Sequence, residues 1–473
     1  MKSSFHTLLF LLTITLGMKI NKMKILVPSN AILSSVLGEQ QIKKENLYRK
    51  INFVELLNIN NIYLAYNLFT GEFLQLCKNE YEVLQSNTFS GSNVVTYEII
   101  KKWYAVPIDF DEMKLYNQAS AIAKNFASDK FINSITIFTT TECNARCFYC
   151  YEKGINQIKM NESTAHAVSN YIEKQSKGKN VFIKWFGGEP LCNSNVINII
   201  SEELKNRGIE YSSTMTTNGY LFDREIIENA VNLWKLKSVQ ITLDGTEKVY
   251  NRSKNYIYKN VNPFERVINN IDILAKNGIK VRIRLNMDHH NEDDLINLID
   301  YLDKIYIDKS NIEIYVSLLF DYKKQRDIMD KLELTDKLLK IEKMIIQKGF
   351  FKKRLSQNQG FKAYYCMADN PHSTTITPNG NLGKCEHYAE SDFWGSIYND
   401  MIDTQVIDSW QERILVSNEC RKCSIYPHCR APKKCETFTH ICDETDILLR
   451  KERVHFQMYN TYLDLLSKDS HVR

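Results

Sequence analysis

Three cysteines lie close together in the segment TECNARCFYC, residues 141–150. Cys143, Cys147 and Cys150 form a C-x3-C-x2-C run between a β-branched stretch and a polar loop. Cysteine thiolates bind zinc and iron–sulfur clusters. Three of them cannot complete a tetrahedral zinc site, whereas a cluster of four irons can be held by three cysteines and keep one iron open. The run therefore predicts a metal centre with one position left for another ligand.

The other cysteines are also clustered. Of the 12 in the chain, all but Cys77 and Cys192 fall in two groups. The second group lies near the end of the sequence and contains Cys366, Cys385, Cys420, Cys423, Cys429, Cys435 and Cys442. Clustering in a chain this long favours metal binding over disulfides. Cys77 and Cys192 have apolar neighbours in the sequence and are expected to behave as small buried hydrophobes.

Length and composition indicate a globular protein with more than one core. The chain has 473 residues, of which 44% are hydrophobic and 25% charged. A chain of this size divides into two or three domains. The net charge of +5 is small for the length, and no basic stripe with interleaved aromatics is present. Nucleic acid is therefore not expected as a partner.

The first 22 residues carry an apolar run at positions 8–16. The run resembles a short secretory signal and is shorter than the about 20 residues that cross a membrane. The alternative is a start assigned too early, with Met18 or Met23 as the first residue. Thiolate–metal chemistry needs a reducing compartment, which favours the second interpretation. We expect a cytoplasmic protein without stable membrane association.

From residue 131 to residue 350 short apolar strands alternate with amphipathic helices. The strands are predicted at 134–140, 181–186, 211–217, 238–244, 280–287 and 313–319. One helix is marked by Pro263 at its start and Gly278 just past its end. Successive βα units form a parallel sheet, either a partial barrel or a doubly wound sheet, with the chemistry at the carboxyl ends of the strands. The cysteine run comes after the first strand and so lies at that edge.

The flanking regions differ from this core. Residues 23–130 are predicted as a small α+β domain that contains a hairpin at 62–76 and a helix near 111–127. Beyond residue 350 the periodicity fades and cysteines become frequent, which is typical of a region stabilised by metal. We assign 351–445 to such a domain and 446–473 to a closing helix.

The cysteine run, with Phe148 and Tyr149 before its last cysteine, resembles the motif of the radical S-adenosylmethionine (SAM) enzymes. In that family the open iron is chelated by SAM, whose reductive cleavage gives a 5′-deoxyadenosyl radical. WFGGEP, residues 185–190, is similar to the family's GGEP motif, which holds the SAM amino group. The resemblance implies a partial (β/α)6 TIM-like barrel, an α/β fold. It also assigns Tyr149, Gly187, Gly188, Glu189 and Pro190 to cofactor binding.

Polar motifs close the next three strands in order. They are TTNGYL at 216–221, TLDG at 242–245 and RLNM at 284–287. In the family fold these positions lie beside the carboxylate and ribose of SAM. The resemblance therefore assigns Asn218, Thr242 and Asn286 to SAM binding.

The second cysteine group resembles the seven-cysteine SPASM extension of radical SAM enzymes, which holds two auxiliary [4Fe-4S] clusters. By position, Cys366, Cys385 and Cys435 would bind the inner cluster. The outer cluster would take Cys420, Cys423, Cys429 and Cys442. Cys429 and Cys435 are separated by five residues where the family has three, which weakens the assignment of Cys435 most. Two zinc sites are the alternative, since C-x2-C pairs are common in zinc ribbons.

The inner set leaves one iron without a cysteine. That iron would be open to a substrate thiolate, or would take Asp369 or His372. Glu386, directly after Cys385, is a candidate proton acceptor or substrate contact, with a solvated carboxylate as the alternative. His289 and His290 come after the fifth strand and are expected to be loop residues.

The SPASM resemblance implies a modifier of peptides or proteins. The long segment before the barrel favours a peptide maturase, which binds the leader of a precursor peptide by strand addition and introduces a thioether or related cross-link. It would need a reductant such as flavodoxin or ferredoxin. An anaerobic sulfatase-maturing enzyme, which makes formylglycine, is the alternative. A protein that keeps the clusters for peptide binding or electron relay without cleaving SAM is a third, which the complete cysteine run and GGEP motif disfavour.

Overall fold

The computed structural model describes residues 22–126, 129–258, 261–288, 290–319, 328–351, 354–355, 360–387, 390–412, 418–429, 432–435, 442 and 444–470. Within these residues three sheets are present. Two small sheets belong to the N-terminal part, and a large one runs through the middle and C-terminal parts. No helix in the described part of the chain is long and apolar enough to cross a lipid bilayer.

The N-terminal part contains two antiparallel sheets with order β1-β5-β4-β3 and β6-β2-β7. The predicted hairpin at 62–76 is confirmed as β4 and β5, which pair antiparallel. It lies in the centre of its sheet because β1 and β3 flank it. The elements are β1 (Lys24–Val27), α1 (Ala31–Leu37), β2 (Leu47–Lys50), β3 (Val54–Ile59), β4 (Ile62–Asn67), β5 (Phe73–Leu76), α2 (Lys78–Gln85), β6 (Phe89–Ser90), α3 (Tyr97–Lys101), β7 (Ala105–Pro107) and α4 (Glu112–Phe126).

Six parallel strands come next, in the spatial order of the sequence from β8 to β13. The predicted strands are confirmed, and their ends agree within two residues. The elements are β8 (Ser134–Thr140), α5 (Glu162–Ser176), β9 (Val181–Gly187), α6 (Ser194–Asn206), β10 (Tyr211–Thr217), α7 (Arg224–Asn232), β11 (Leu236–Leu243), α8 (Glu247–Lys254), α9 (Pro263–Lys276), β12 (Lys280–Met287), α10 (Glu292–Ile305), β13 (Ile312–Leu318) and α11 (Ile328–Gln347). The predicted α/β fold with a partial barrel is therefore confirmed.

The two faces of this sheet differ in polarity because successive strand residues point to opposite sides. The buried apolar residues of each strand, such as Ile183, Val239 and Ile283, belong to one core with the apolar sides of the helices. Most of the alternate positions carry polar side chains and form the inner face of the barrel, where Phe138 and Phe186 make a small apolar cluster. These positions include Lys184, Gln240, Thr242, Arg284, Asn286, Tyr315 and Ser317.

The C-terminal part extends the barrel sheet. β14 (Ser373–Ile376) pairs parallel with β8, and β15 (Asn381–Gly383) and β16 (Gly395–Ser396) are added antiparallel. The sheet therefore has nine strands, and it continues across the boundary predicted at residue 350. Helices α12 (Thr404–Gln411), α13 (Asn418–Arg421) and α14 (Glu444–Ser470) complete the described chain. Apolar residues of α14, among them Val454 and Met458, pack against β3 of the N-terminal sheet.

Candidate active site

The cysteine run forms a loop that leaves the carboxyl end of β8. Two backbone hydrogen bonds fasten it to the end of α8 and the residues after it: Arg146 donates to the Lys254 carbonyl at 2.8 Å, and Ile257 donates to the Asn144 carbonyl at 3.0 Å. The sulfur of Cys143 accepts the backbone N–H of Ala145 at 3.4 Å. The loop is thus held by the end of a neighbouring helix, with Cys143 and Cys147 partly exposed and Cys150 exposed.

Gly187 and Gly188 bring the end of β9 against the backbone of this loop. Gly188 donates to the Thr140 carbonyl at 3.1 Å, and Glu189 donates to the Glu142 carbonyl at 2.9 Å. A Cβ at Gly187, whose φ is +123°, would lie 1.9 Å from the Thr140 oxygen. A Cβ at Gly188 would lie 2.5 Å from the Glu142 oxygen. Only glycine permits this approach at both positions.

The next residue, Glu189, is fully buried beneath the loop. Its carboxylate accepts the Thr217 hydroxyl at 2.8 Å, the Asn218 backbone N–H at 2.7 Å and the Leu191 backbone N–H at 3.1 Å. Burial raises the pKa of Glu189 to about 7 although these donors lower it. A buried carboxylate with no cation hydrogen-bonded to it in the described structure favours a positively charged ligand.

Asn218 connects this carboxylate to the cysteine loop. Its side-chain amide donates to the Asn144 side chain at 2.6 Å and lies 4.0 Å from the Cys143 sulfur, while its backbone binds Glu189. Pro190 accepts the Thr139 hydroxyl through its carbonyl at 2.9 Å. The structure thus places Asn218 with the GGEP motif and the first cysteine, as a connection within the site.

Tyr149 and Asn286 meet in a buried network that the sequence did not indicate. The Tyr149 hydroxyl donates to Asp244 at 2.6 Å, and the Lys254 ammonium donates to that hydroxyl at 2.8 Å. Lys254 and Asp244 form an ion pair at 3.1 Å, each with 4% of its side chain exposed. Asn286 donates to the other Asp244 oxygen at 2.9 Å. Burial disfavours the Lys254 cation, but Asp244 and Tyr149 outweigh burial and raise the pKa of Lys254.

Asp244 stands in the TLDG motif, two residues after Thr242. Thr242 lies on the inner face of β11, opposite Arg284 in the register with β12. Asp244 is a charged residue at the end of a strand, and this position could have identified it as a site residue from the sequence. Lys254 ends α8 and lies in none of the motifs, so nothing in the sequence distinguished it from a surface lysine.

The inner face of the barrel carries a second charged group close to the cysteine loop. Glu386 forms an ion pair with Lys184 of β9 at 2.6 Å, and both side chains are partly exposed. The Glu386 carboxylate thus has a partner within the protein. Burial raises the pKa of Glu152, just after the cysteine run, to about 7, and the nearby Glu386 charge adds to that shift. One oxygen of Glu152 is buried without a hydrogen-bond partner in the described structure.

Tyr151 lies between the two cysteine groups. The pKa of its hydroxyl is raised first by burial and then by four nearby groups: Glu152, Glu386, Cys150 and Cys385. Its ring packs on His387, with ring centroids 4.6 Å apart. Tyr151 follows Cys150 and His387 comes two residues after Cys385, so this ring contact brings the two cysteine groups close to each other.

Several thiols of the second group lie near one another in the structure. Besides burial, which is the largest cause, Cys366 and Cys435 raise the pKa of Cys385, so these three thiols lie near one another. Burial, Cys420 and Cys442 likewise raise the pKa of Cys423. Cys429 is hydrogen-bonded to Cys442 and also lies near Cys423. Which cluster, if any, each set binds stays a prediction.

The two other candidate ligands of the inner set have partners within the protein. Asp369 is buried and accepts the backbone N–H groups of Tyr365 at 2.8 Å and Cys366 at 3.0 Å. It therefore shapes the Cys366 loop. The His372 ring packs on Phe131 and its Nδ1 lies 3.0 Å from the Phe131 carbonyl. His289 lies outside the described residues, and His290 is in the loop after β12.

The two remaining cysteines differ from the expected apolar role. Cys77 stands at the N-terminus of α2, where its backbone N–H donates to Glu80 at 2.7 Å. Cys192 comes just after the GGEP motif, accepts the Asn144 backbone N–H and lies near Cys143. Both are partly exposed. Cys192 thus supports the cysteine loop.

The donor sets fit iron–sulfur clusters. Burial raises the pKa of Cys143 and of Cys385 to about 12, so these thiols need a bound metal to be thiolates at neutral pH. No group of three or more His, Cys, Asp or Glu among the described residues has the compact spacing that holds a single metal ion. A cluster of four irons is larger than an ion and spreads its ligands further apart.

Comparisons with known proteins agree with this site. Residues 137–302 match the model of the radical SAM superfamily. GTP 3′,8-cyclase of Clostridium perfringens (strain SM101 / Type A) is 26% identical over 276 residues, 54% of this chain and 81% of that protein. Radical SAM cyclopropyl synthase TigE of Paramaledivibacter caminithermalis is 22% identical over 426 residues, 82% of this chain and 86% of that protein.

Among solved structures, native anSMEcpe with bound AdoMet and Kp18Cys peptide superposes with a TM-score of 0.52 and 14% identity. The superposition covers 72% of this chain and 100% of that one. At this identity the likeness concerns the fold. With the family match, the parallel strands and the cysteine loop, it shows that the chain has the radical SAM fold and contains a radical SAM domain.

Proposed function

We propose that this protein is a radical SAM peptide maturase that introduces a thioether or related cross-link into a ribosomally made precursor peptide. The observation that carries the proposal is the contact between the two cysteine groups. Tyr151, next to Cys150, packs on His387, two residues after Cys385, with ring centroids 4.6 Å apart. A substrate carbon held beside this contact would lie near both metal centres.

The cofactors would be held by the cysteine run and the buried GGEP carboxylate. Cys143, Cys147 and Cys150 would bind a [4Fe-4S] cluster, and Glu189 would pair with the SAM amino group. Pairing with a cation would lower the raised pKa of Glu189 and remove the cost of its buried charge. When bound, SAM and this cluster supply a 5′-deoxyadenosyl radical that removes hydrogen from an unactivated carbon. Gly187 and Gly188 would permit the close approach of the β9 backbone to the cysteine loop. Asn218, Thr242 and Asn286 would form the rest of the SAM site.

The chain's own residues would orient the peptide. Lys184 would hold the Glu386 carboxylate in place through their ion pair at 2.6 Å. Glu386 would accept a proton or a hydrogen bond from the peptide residue that is modified. The auxiliary clusters would accept the surplus electron of cross-linking. Their proposed ligand sets are Cys366/Cys385/Cys435 and Cys420/Cys423/Cys429/Cys442. An external donor such as flavodoxin or ferredoxin would supply the reducing electron.

A peptide substrate is supported by a protein of similar fold and by the N-terminal part of the chain. Native anSMEcpe, which superposes with a TM-score of 0.52, was solved with a bound Kp18Cys peptide. The N-terminal part contains a sheet whose outer strands are β1 and β3, with one side of each not paired in the described structure. The precursor's leader would add a strand at such an edge, which supplies backbone hydrogen bonds to an extended peptide.

The test uses a candidate precursor peptide sought among the reading frames next to this protein's gene. Anaerobically reconstituted protein, reductant and SAM are incubated with peptide deuterated at the residues to be modified. We expect deuterium in 5′-deoxyadenosine and a peptide lacking two hydrogens, by mass spectrometry. Deuterium transfer from labelled GTP, or conversion of a sulfatase peptide to formylglycine while the neighbouring peptide is unchanged, would contradict the proposal.

A variant separates the substrate site from the radical site. Glu386→Gln keeps the size of the side chain and removes its charge, so cross-linking should slow at least tenfold. Formation of 5′-deoxyadenosine without peptide should persist, because Glu386 lies outside the SAM residues. Glu390→Gln is the matched control, since Glu390 is a nearby carboxylate that accepts from Asn156 in an exposed contact.

A further inference from the structure

Arg450 places a positive charge against the outer cysteine set. It belongs to α14 (Glu444–Ser470), and its Nη1 donates a hydrogen bond to the Cys429 sulfur at 3.5 Å. Cys429 is hydrogen-bonded to Cys442, and Cys423 lies near both. The guanidinium is only partly exposed. Water therefore screens its interaction with the sulfurs less than at an open surface.

The groups around Arg450 favour its charged form. Burial disfavours its cation, but Cys429, Cys442, Tyr365 and Asp446 outweigh burial and raise the pKa of Arg450. An arginine is charged at every working pH, so this charge is permanent. Tyr365 lies near Arg450 and near cysteines of both sets, Cys429 of the outer set and Cys366 of the inner one. The charge thus lies on the outer side of the boundary between the two sets.

A cluster held by thiolates carries net negative charge, and reduction adds one more electron. Hydrogen bonds to its sulfurs and nearby charges set its reduction potential. A fixed cation stabilises the reduced form more than the oxidised form, because the interaction grows with the charge of the cluster. A charged N–H···S bond at 3.5 Å combines both effects at one ligand.

We propose that Arg450 raises the reduction potential of the cluster bound by Cys420, Cys423, Cys429 and Cys442. This inference rests on the proposed auxiliary clusters. It makes the outer cluster the more stable site for an electron that arrives at the inner set. The transfer moves one electron from the reduced inner cluster to the oxidised outer cluster, and no bond is made or broken.

The test is redox titration monitored by electron paramagnetic resonance. The full chain carries Cys143→Ala, Cys147→Ala and Cys150→Ala, so that only the auxiliary clusters contribute signals. Arg450→Lys keeps the charge, Arg450→Gln keeps an N–H donor, and Arg450→Met keeps neither. Arg453→Met is the control, because Arg453 lies on the same helix and pairs with Glu342 of α11 at 2.8 Å.

We expect Arg450→Met to lower the midpoint potential of one of the two couples. A tenfold smaller equilibrium constant for reduction corresponds to about 59 mV for a one-electron couple, and we expect a shift of at least this size. Arg450→Gln should lower it less, Arg450→Lys least, and Arg453→Met should leave both couples unchanged. Unchanged or higher potentials in Arg450→Met, or an equal shift in Arg453→Met, would overturn the inference.

Iron content separates the possible failures. If the triple-alanine parent binds no iron, the proposed auxiliary clusters fail and the role of Arg450 fails with them. If both clusters are present and their potentials do not respond to Arg450, only its role fails. Should Arg450→Met lose its cluster, a lower potential in Arg450→Gln than in Arg450→Lys supports the inference. Equal potentials in those two variants, or loss of the cluster from Arg450→Lys as well, overturn it in favour of a purely structural arginine.

Discussion

At the scale of single residues, the buried carboxylate of Glu189 has the clearest need for a ligand. Its pKa is about 7, above the ordinary value of 4.5, mainly because of burial. A raised carboxyl pKa means that the folded state holds the proton more tightly than the unfolded chain. The stability that this proton provides is complete below pH 4.5 and is lost as the pH rises through 7.

Replacing Glu189 should therefore separate stability from binding. In Glu189→Gln without SAM, the free energy of unfolding should fall less between pH 5 and pH 8 than in the wild type. We expect a difference of about 2 kcal/mol in that pH dependence. SAM affinity should drop at least tenfold, about 1.4 kcal/mol. Urea unfolding at both pH values and equilibrium binding of SAM measure the two effects.

Glu203→Gln is the control for this pair of measurements. Glu203 forms ion pairs with His166 and Arg207 at the surface of α6. Its replacement should change SAM affinity by less than about twofold. Wild-type SAM affinity in Glu189→Gln would contradict the role given to Glu189.

The ion pair of Lys254 and Asp244 gives a second residue-scale prediction. In Lys254→Met the Asp244 carboxylate remains buried without its cation, which costs about 3–5 kcal/mol. Adding Asp244→Asn removes the uncompensated charge, so the double variant should be more stable than Lys254→Met alone. Urea unfolding of the four proteins in the cycle measures the coupling. A double variant that is less stable than the single one would contradict the importance of the buried pair.

The SAM-site motifs found in the barrel from sequence share one property: each begins near the end of a predicted strand. A short motif at a strand end has a fixed place in a parallel sheet, so Glu189, Asn218 and Thr242 could be placed together. Lys254 lies away from every predicted strand end, and Lys184 lies within a strand but in none of the motifs. Lys254 reaches Tyr149 from the end of α8, and Lys184 meets Glu386 across 202 residues of sequence. Contacts of this range depend on tertiary packing, which periodicity does not reveal.

At the scale of elements, the crossing of β9 with the cysteine loop depends on two glycines. Gly187→Ala would strain the backbone at φ +123° and place a Cβ 1.9 Å from the Thr140 oxygen. We expect a loss of roughly 2–5 kcal/mol in the free energy of unfolding, together with loss of the cluster. Thermal unfolding and iron content measure these effects.

Gly178→Ala is a matched control for the backbone strain alone. Gly178 also has a positive φ, +74°, but a Cβ there would meet no atom within 4 Å. It should cost about 1 kcal/mol and leave the cluster in place. Equal losses in Gly178→Ala and Gly187→Ala would show that the close approach has no special importance.

The strand that extends the barrel sheet shows why no strand was predicted beyond residue 350. β14 has four residues, and its first residue, Ser373, pairs with Ser134 at the start of β8. A strand so short has too few alternating positions to give a period. Its pairing partner, which is far away in the sequence, makes it a strand.

At the scale of the whole molecule, a buried polar cluster joins the two ends of the chain. Glu55 of β3 lies 3.0 Å from the His455 ring of α14, accepts the Ser424 hydroxyl, and lies 3.6 Å from Lys451. Burial would raise the pKa of Glu55, but His455, Lys451 and Ser424 lower it to about 2. The N-terminal sheet is thereby tied to the helix that carries Arg450.

Because the pKa of Glu55 is depressed, its stabilisation is present above pH 4.5 and is lost as the pH falls to about 2. Glu55→Gln should lower the free energy of unfolding by about 2–3 kcal/mol at pH 6. The deficit should be smaller at pH 4 by up to about 1 kcal/mol. Unfolding in urea at the two pH values provides the measurement. Glu82→Gln is the control, because Glu82 forms an exposed pair with Lys78, and it should change the free energy of unfolding by less than about 0.5 kcal/mol. An equally small effect of Glu55→Gln would show that the buried cluster does not stabilise the contact between β3 and α14.

The central claim is that Cys143, Cys147 and Cys150 leave one iron of a cluster open for SAM. The most direct measurement is the electron paramagnetic resonance spectrum of the reduced, anaerobically reconstituted protein before and after SAM is added. We predict a cluster signal that SAM shifts in the wild type and that alanine at the three cysteines abolishes. Zinc in place of iron at these cysteines, or a cluster signal that SAM leaves unchanged, would contradict the claim.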